Sequence, residues 1–413
     1  MSLAALARAF VRRVTGRKVR PLPIWERFFT QVFAFADWTD VTLAGRKVAV
    51  CVVHDSLALE AGRRLHERTG CGLIVDAVEY PDFSGRASNL ARSLRNHPPS
   101  LALVAAHEMA IVKAADLVIT GTPDVAAWFT QQGHARKVGV VRNCLDYVSI
   151  QKDDAIRRDC KLSEGDRLLL FPNNMYAGGG FELCLRAMAK LGSDIHLATM
   201  APMAEMPESL SGEIRNLGLS GRVHFLSRKP PRELIRYRSG ADIALVMLDP
   251  ATPGFHSSLP NRLFETVMSR TPLVVSDLPN HRWLVEVYGI GEVAKSYDAQ
   301  ALADAISTVL ASPSRYSEKA EQAAKELSWE REKGVFLDLI QPVLDAHMDG
   351  DVVFLARKDM STNQRTFRHM RTIAELGRRT ALFAQVEPME ELRVAGAQYF
   401  AMSSQGRPSD GPE

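Results

Sequence analysis

A chain of 413 residues holds two α/β domains and exceeds what one ordinary core buries. Apolar residues make up 46% and charged residues 24%, the profile of a soluble globular protein, and no run reaches the roughly 20 apolar residues of a membrane-spanning helix. A formal net charge of only +3 gives no electrostatic case for a nucleic-acid partner.

The charge is nonetheless uneven. No acidic residue precedes Glu26, while Arg8, Arg12, Arg13, Arg17, Lys18 and Arg20 are all basic. With Leu3, Leu6, Phe10 and Val11 they read as a basic amphipathic helix, either an ordinary surface helix or one that meets an anionic membrane surface. An organelle transit peptide is a third reading, and Arg8 argues against a secretory signal. Cys51, Cys71, Cys144, Cys160 and Cys184 are odd in number and never form a Cys-x-x-Cys pair. That argues against a disulfide framework or zinc site and fits a reducing cytosol. The expected location is cytoplasmic, peripheral on the inner membrane face if the basic helix binds lipid.

Along the chain, short β-rich runs alternate with helical patterns, the signature of a parallel sheet. Residues 47–54 (KVAVCVVH) form a strand and 56–68 a helix. The next strand, 73–78, ends at Glu79-Tyr80-Pro81. Residues 107–115 are helical, 117–120 form a strand stopped by Gly121-Thr122-Pro123, and 138–141 another. A polar stretch at 146–166 separates this set from a second, so domains are drawn at 1–150 and 151–345. Strands of the second set fall at 167–171, 195–199, 223–226, 243–248 and 273–276, with a helix at 181–191 and closing helices at 301–310 and 317–343. Beyond them lies an extra strand–helix–strand unit within 350–402: 351–355 (DVVFL), 364–377 and 380–385. The tail 403–413 is polar and rich in Pro and Gly, and reads as disordered.

Open parallel sheets bind ligands beyond the carboxyl ends of their strands. The richest loop there is His256-Ser257-Ser258-Leu259-Pro260-Asn261-Arg262-Leu263-Phe264-Glu265. Ser258 reads as an N-cap and Pro260 as first-turn, so the helix aims free N–H groups and a positive dipole end outward, a site for a diphosphate. Arg262 adds a charge-assisted bond, and Glu265 one turn on accepts from a ribose diol. The plain alternative is a strand–loop–helix with a surface Glu. The loop at 172–180, with Asn173, Asn174 and three glycines, permits close approach to phosphate or sugar, though glycine runs are more often turns. Arg228 and Lys229 leave the strand 223–226 as phosphate partners or solvated surface. His54, Asp55, Asp76 and Glu79 close the early strands, as acid or base, sugar-orienting groups or structural hydrogen-bonders. No His/Cys/carboxylate run has metal-ligand spacing, and Gly-x-Ser-x-Gly, Walker and Gly-x-Gly-x-x-Gly sequences are absent, which lowers the case for hydrolases, ATPases and dehydrogenases.

Residues 258–279 (SLPNRLFETVMSRTPLVVSDLP) resemble the donor-site block of family 4 glycosyltransferases, whose usual form is Pro-Asn-Lys-x-x-Glu, a small-residue turn, then Pro-Val-Val-x-Ser. Residues 218–226 with Glu233-Leu234 and Ala241-Asp242-Ile243, residues 115–120 (ADLVIT) and residues 74–79 (IVDAVE) resemble three further family segments. The resemblance spans roughly residues 45–310. It implies an α/β GT-B fold of two Rossmann-like domains with parallel sheets facing a central cleft. The first domain would be on the acceptor side and the second would bind a nucleotide sugar. By position, Glu265 resembles the glutamate that holds the nucleotide ribose; Leu259, Pro260 and Asn261 would touch the donor, and Arg262 stands where Lys is usual. His54 matches an acceptor-domain histidine near the reacting sugar carbon.

The implied activity is sugar transfer from a nucleoside-diphosphate sugar to a glycan or lipid-linked acceptor, with retention, no metal and no cofactor beyond the co-substrate. Ser257 stands where the family often has a second Glu. A loop without cations replaces Gly-Arg-x5-Lys-Gly, so Arg228, Lys229 or Arg262 would substitute. Arg270 stands where Gly is preferred, at a modest strain cost. A catalytically weak GT-B binding module and a nucleotide-sugar epimerase are the alternative readings.

The family opens with strand–helix–strand, the helix carrying an Arg, whereas this chain goes from helices straight to 47–54. The missing unit resembles residues 351–385. A circular permutation, with this unit completing the first sheet, accounts for that order; the rival is a truncated tandem array.

Overall fold

The computed structural model describes residues 24–77, 97–133, 137–172, 179–203, 206, 208–252, 255–357, 364–385 and 392–402. The basic segment up to Arg20, Glu79, Asn173, Asn174 and the tail 403–413 lie outside the described residues.

In chain order the elements begin with α1 (Ile24–Thr42), β1 (Val48–Val53), α2 (Leu59–Thr69), β2 (Gly72–Asp76), α3 (Pro98–Ala114), β3 (Leu117–Thr120), α4 (Pro123–Gln131) and β4 (Val138–Val140). There follow α5 (Ala155–Asp159), β5 (Arg167–Phe171), α6 (Phe181–Met188), β6 (Ile195–Thr199), α7 (Glu208–Asn216), β7 (Val223–Phe225), α8 (Pro231–Arg238) and β8 (Ile243–Val246). Next come α9 (Asn261–Met268), β9 (Leu273–Ser276), α10 (Pro279–Tyr288), β10 (Gly291–Ala294), α11 (Ala299–Ala311), α12 (Pro313–Glu326) and α13 (Trp329–Ala346). The last are β11 (Asp351–Ala356), α14 (Gln364–Glu375), β12 (Thr380–Ala384) and β13 (Gln398–Ala401).

Two compact units result, divided at Arg142/Asn143 and at Glu332/Lys333. These divisions differ from the sequence boundaries at 150 and 345, and local contacts say why. Leu145 bridges Ser328, its carbonyl accepts from the Trp329 N–H at 2.7 Å, and Tyr147 donates to Glu321 at 2.7 Å, tying residues 145–147 to the second unit. The later part of α13 belongs with the first unit: the Phe336 ring stacks on His369 with centroids 4.2 Å apart.

The first unit holds a parallel sheet in the order β13-β12-β11-β1-β2-β3-β4. Residues from the end of the chain therefore lie beside residues from its beginning: Val53 pairs with Leu355 on one side and Val75 on the other. Every residue of β1, β2, β11 and β12 is buried, as expected of parallel strands covered on both faces. Each fully buried Val, Leu or Phe here contributes on the order of 1.5–3 kcal/mol. Gly350, at φ +131°, leads into β11; a Cβ there would lie 2.7 Å from the Lys47 carbonyl oxygen, so a side chain would collide with backbone.

The second unit holds a parallel sheet in the order β10-β9-β8-β5-β6-β7. Its two cores lie on the two sheet faces, one holding Leu168, Leu170 and Val246, the other Leu169, Phe171 and Leu245. All five cysteines are free and buried. Some expected bounds shift. Helix α3 starts at Pro98 rather than 107, because His97 Nδ1 accepts from the Ser100 N–H at 3.3 Å and Pro98 suits the first turn. The closing helix expected at 317–343 is two helices, broken at Leu327-Ser328.

Candidate functional site

In the second sheet the chain runs outward as β5-β6-β7 on one side and β8-β9-β10 on the other, so strand order reverses between β5 and β8. Such a reversal opens a crevice at the carboxyl ends of the two strands. Gly180 adopts φ +86°, and a Cβ there would lie 2.5 Å from Met247 Cβ and 2.6 Å from its carbonyl oxygen. The backbone at Gly180, just before α6, thus runs hard against the exit of β8, an approach only glycine allows.

Helix α9 starts at this crevice. Pro260, at φ −69° and ψ 149°, is its cap, and no side chain caps it. This corrects the assignment of Ser258 as N-cap and Pro260 as first-turn. Proline keeps the preceding Leu259 out of helical geometry, so the helix begins at Asn261, while the Ser258 N–H donates to the Phe255 carbonyl at 3.0 Å. Asn143 donates to the Asn261 side chain. Arg262 Nε donates to the Pro172 carbonyl at 2.7 Å, anchoring α9 to the exit of β5.

Glu265, 23% exposed at its side chain, accepts from Arg238 Nη1 at 2.5 Å. Arg238 is buried, and its Nε has no hydrogen-bond partner among the described residues. Burial pulls the Arg238 pKa down, Glu265 opposes that, and Arg262 adds to the lowering; an arginine remains cationic throughout. Two guanidiniums and one carboxylate therefore flank the start of α9. Sequence reading missed Arg238, and no local pattern signals a pair 27 positions apart.

The other expected cations lie elsewhere. Lys229 pairs with Asp159 at 3.3 Å and sits 4.4 Å over the Tyr237 ring, whose hydroxyl donates to Asp159 at 2.7 Å. It follows the edge strand β7, two strands from β5 and thus about 10 Å across the sheet. Arg228 beside it is exposed. Ser257 and Leu259 are half-buried. Arg270 adopts φ 57°, in the left-handed region. Its Nε pairs with Glu321 at 2.7 Å and its guanidinium lies 5.1 Å over the Tyr147 ring; the Arg270 hydrogen bond draws the Glu321 pKa down to about 2.

In the first sheet the order reverses between β1 and β11. His54 directly follows β1, Asp76 ends β2, and Arg365 and His369 lie one turn apart on α14. His54 Nδ1 donates to Asp76 Oδ2 at 2.8 Å. Arg365 grips both carboxylate oxygens, Nε to Oδ2 and Nη2 to Oδ1 at 2.8 Å each, and its Nη1 donates to the Val141 carbonyl at 2.8 Å. Burial works to raise the Asp76 pKa, but Arg365 and the His54 hydrogen bond outweigh it and hold the carboxyl well below its usual range. Burial, reinforced by Arg365, holds the His369 pKa well below normal.

With Nδ1 donating, His54 presents Nε2 as a base; this atom is buried and has no partner among the described residues. Asp55 Oδ1 accepts from the Leu57 and Ala58 N–H groups at 2.9 and 3.2 Å, a turn that leads into α2. His54, Asp76 and His369 could bring three ligand atoms together. They suit a divalent cation poorly, because Arg365 already occupies both Asp76 oxygens and would face the ion. Sequence reading missed Arg365 and His369, whose i, i+4 spacing on a helix is the one available signal.

Residues 152–327 match the family described as "Glycosyl transferases group 1". The matched residues lie within the second unit, Asn143–Glu332. Over 126 residues the chain is 32% identical to a D-inositol 3-phosphate glycosyltransferase of Corynebacterium aurimucosum, covering 30% of this chain and 28% of that protein. The chain thus matches less than a third of the length of this curated relative. The likeness extends to solved structures. Sucrose-phosphate synthase from Thermosynechococcus elongatus has a TM-score of 0.64 at 18% identity, with 80% of this chain and 82% of that one covered. Anabaena HepE, solved in complex with UDP, has a TM-score of 0.58 at 17% identity, with 75% and 82% covered. HepE has also been solved with UDP-glucose. With two parallel α/β sheets and these neighbours, the fold is GT-B. Among the described residues, no helix is long and apolar enough to cross a membrane.

Proposed function

We propose that this chain transfers a sugar from a uridine-diphosphate sugar to a glycan or lipid-linked acceptor, with retention of configuration and without a metal ion. The observation that carries the proposal is the start of α9 at the β5/β8 reversal, with Arg262 and Glu265 on its first turns. The helix N-terminus offers unpaired N–H groups and a positive dipole end to a diphosphate. As the bond from the anomeric carbon to the diphosphate oxygen breaks, its electron pair stays on the diphosphate, and this end of α9 with Arg262 stabilises the developing charge. That substitutes for the cationic loop the family has after β5. Glu265 takes the ribose diol, and the UDP-bound neighbour HepE favours uridine among the bases. On the acceptor side, Asp76 holds the His54 ring through Nδ1, leaving Nε2 to take the proton of the acceptor hydroxyl whose oxygen bonds the anomeric carbon. The order of strands in the first sheet, with β11 beside β1, supports the permuted reading of the chain.

One observation favours a second reading, nucleotide binding without turnover: His54 is only 4% exposed. The test is release of UDP from UDP-glucose and other UDP-sugars, with a panel of glycan and lipid-linked acceptors and with chelator present. Acceptor-dependent release that is lost in Glu265→Ala and His54→Ala supports transfer. Nucleotide binding with no release from any donor would favour the binding module, and a changed sugar without acceptor would favour epimerisation.

A further inference from the structure

We propose that Arg238 is a positioning residue of the donor site, fixing the Glu265 carboxylate for the ribose hydroxyls of a nucleoside diphosphate; this rests on reading α9 as that site. Arg238 ends α8, and Glu265 is its ion-pair partner among the described residues. The Arg238 side chain is 6% exposed and that of Glu265 is 23% exposed, so the pair has a sealed side and an open side. The contact is end-on: one Nη1 meets Oε2, and Oε1 remains outside the pair. Arg262 lies one turn before Glu265 on α9.

A carboxylate that accepts from two hydroxyls must be ionised and held in one rotamer. An isolated Glu on a helix surface is free to swing, and ordering it on binding costs affinity. A buried guanidinium is costly unless paired, so Arg238 holds the Glu265 carboxylate in place before any ligand arrives. Oε1, outside that contact, is then the oxygen left to accept from a ligand. A site built this way discriminates sharply, because a nucleotide without the hydroxyl leaves a fixed acceptor oxygen without its hydrogen bond.

The experiment is calorimetric titration of the full chain with UDP and with 2′-deoxy-UDP, on wild type, Arg238→Met and Glu265→Gln, each checked for folding by thermal melting. Wild type is expected to prefer UDP by about tenfold or more, a preference that falls to about twofold or less in Arg238→Met. A folded Arg238→Met that keeps the wild-type preference overturns the proposal. Loss of preference in Glu265→Gln but not in Arg238→Met leaves the donor site standing and removes Arg238 from it. An unaltered Glu265→Gln overturns the donor-site reading itself. Should Arg238→Met fail to fold, Arg238→Gln, which keeps a donor without the charge, is read the same way.

Discussion

Arg365 holds both carboxylate oxygens of Asp76 at 2.8 Å, across 289 positions of sequence. Both side chains are buried, so removing either leaves a charge without its counter-ion. Arg365→Met is expected to destabilise the first unit by about 3–5 kcal/mol, read as a fall in melting temperature. Because the folded Asp76 pKa lies below its unfolded value of about 3.9, its stabilisation is present above that pH and is lost as pH falls further. A melting curve of Asp76→Asn that keeps the wild-type loss of stability below pH 4 would contradict this.

His281 is completely buried, and burial pulls its pKa down to about 3. Neither ring nitrogen has a hydrogen-bond partner among the described residues. The unfolded chain, with a pKa of about 6.5, takes up the proton first. Stability from the neutral ring is therefore complete above pH 6.5 and is lost on acidification toward pH 3, at up to about 1.4 kcal/mol per pH unit. His281→Leu should raise the melting temperature at pH 5 more than at pH 8. An equal change at both would show that His281 does not titrate in this way.

Gly180→Ala should weaken nucleotide binding and destabilise the second unit by about 1–3 kcal/mol, since the new methyl meets Met247 backbone at 2.6 Å. Denaturant unfolding and a UDP titration check the two parts. Gly165→Ala is the control, because a Cβ there meets nothing within 4 Å.

Deleting everything after Met348 removes β11, β12 and β13 and leaves β1 without a neighbour on one side. Exposed central-strand edges aggregate, so the truncated chain should be insoluble. A soluble, cooperatively unfolding product would contradict the permuted reading.

Much of the α/β alternation is legible because buried parallel strands are written as short Val/Ile/Leu runs, such as 243–246 and 351–355. The edge strand β13 is not, because Gln398-Tyr399-Phe400-Ala401 has only Ala401 buried. The first half of α3 escaped for a related reason: its buried residues include the polar Ser100 and Glu108, while Leu103 is 48% exposed, so the apolar stripe is broken. At the site, Glu265 and Arg262 follow from a local run, and His54 and Asp76 from strand ends. Arg238, Arg365 and His369 do not, because their roles come from burial and from partners far along the chain. A one-dimensional pattern carries neither.

The most direct test of the donor site is calorimetric titration of UDP, GDP and ADP into wild type and Glu265→Ala. Binding of UDP alone, lost or at least about tenfold weaker in the variant, is the predicted result. No binding of any nucleotide to the folded wild-type chain, or equal binding by Glu265→Ala, would contradict it.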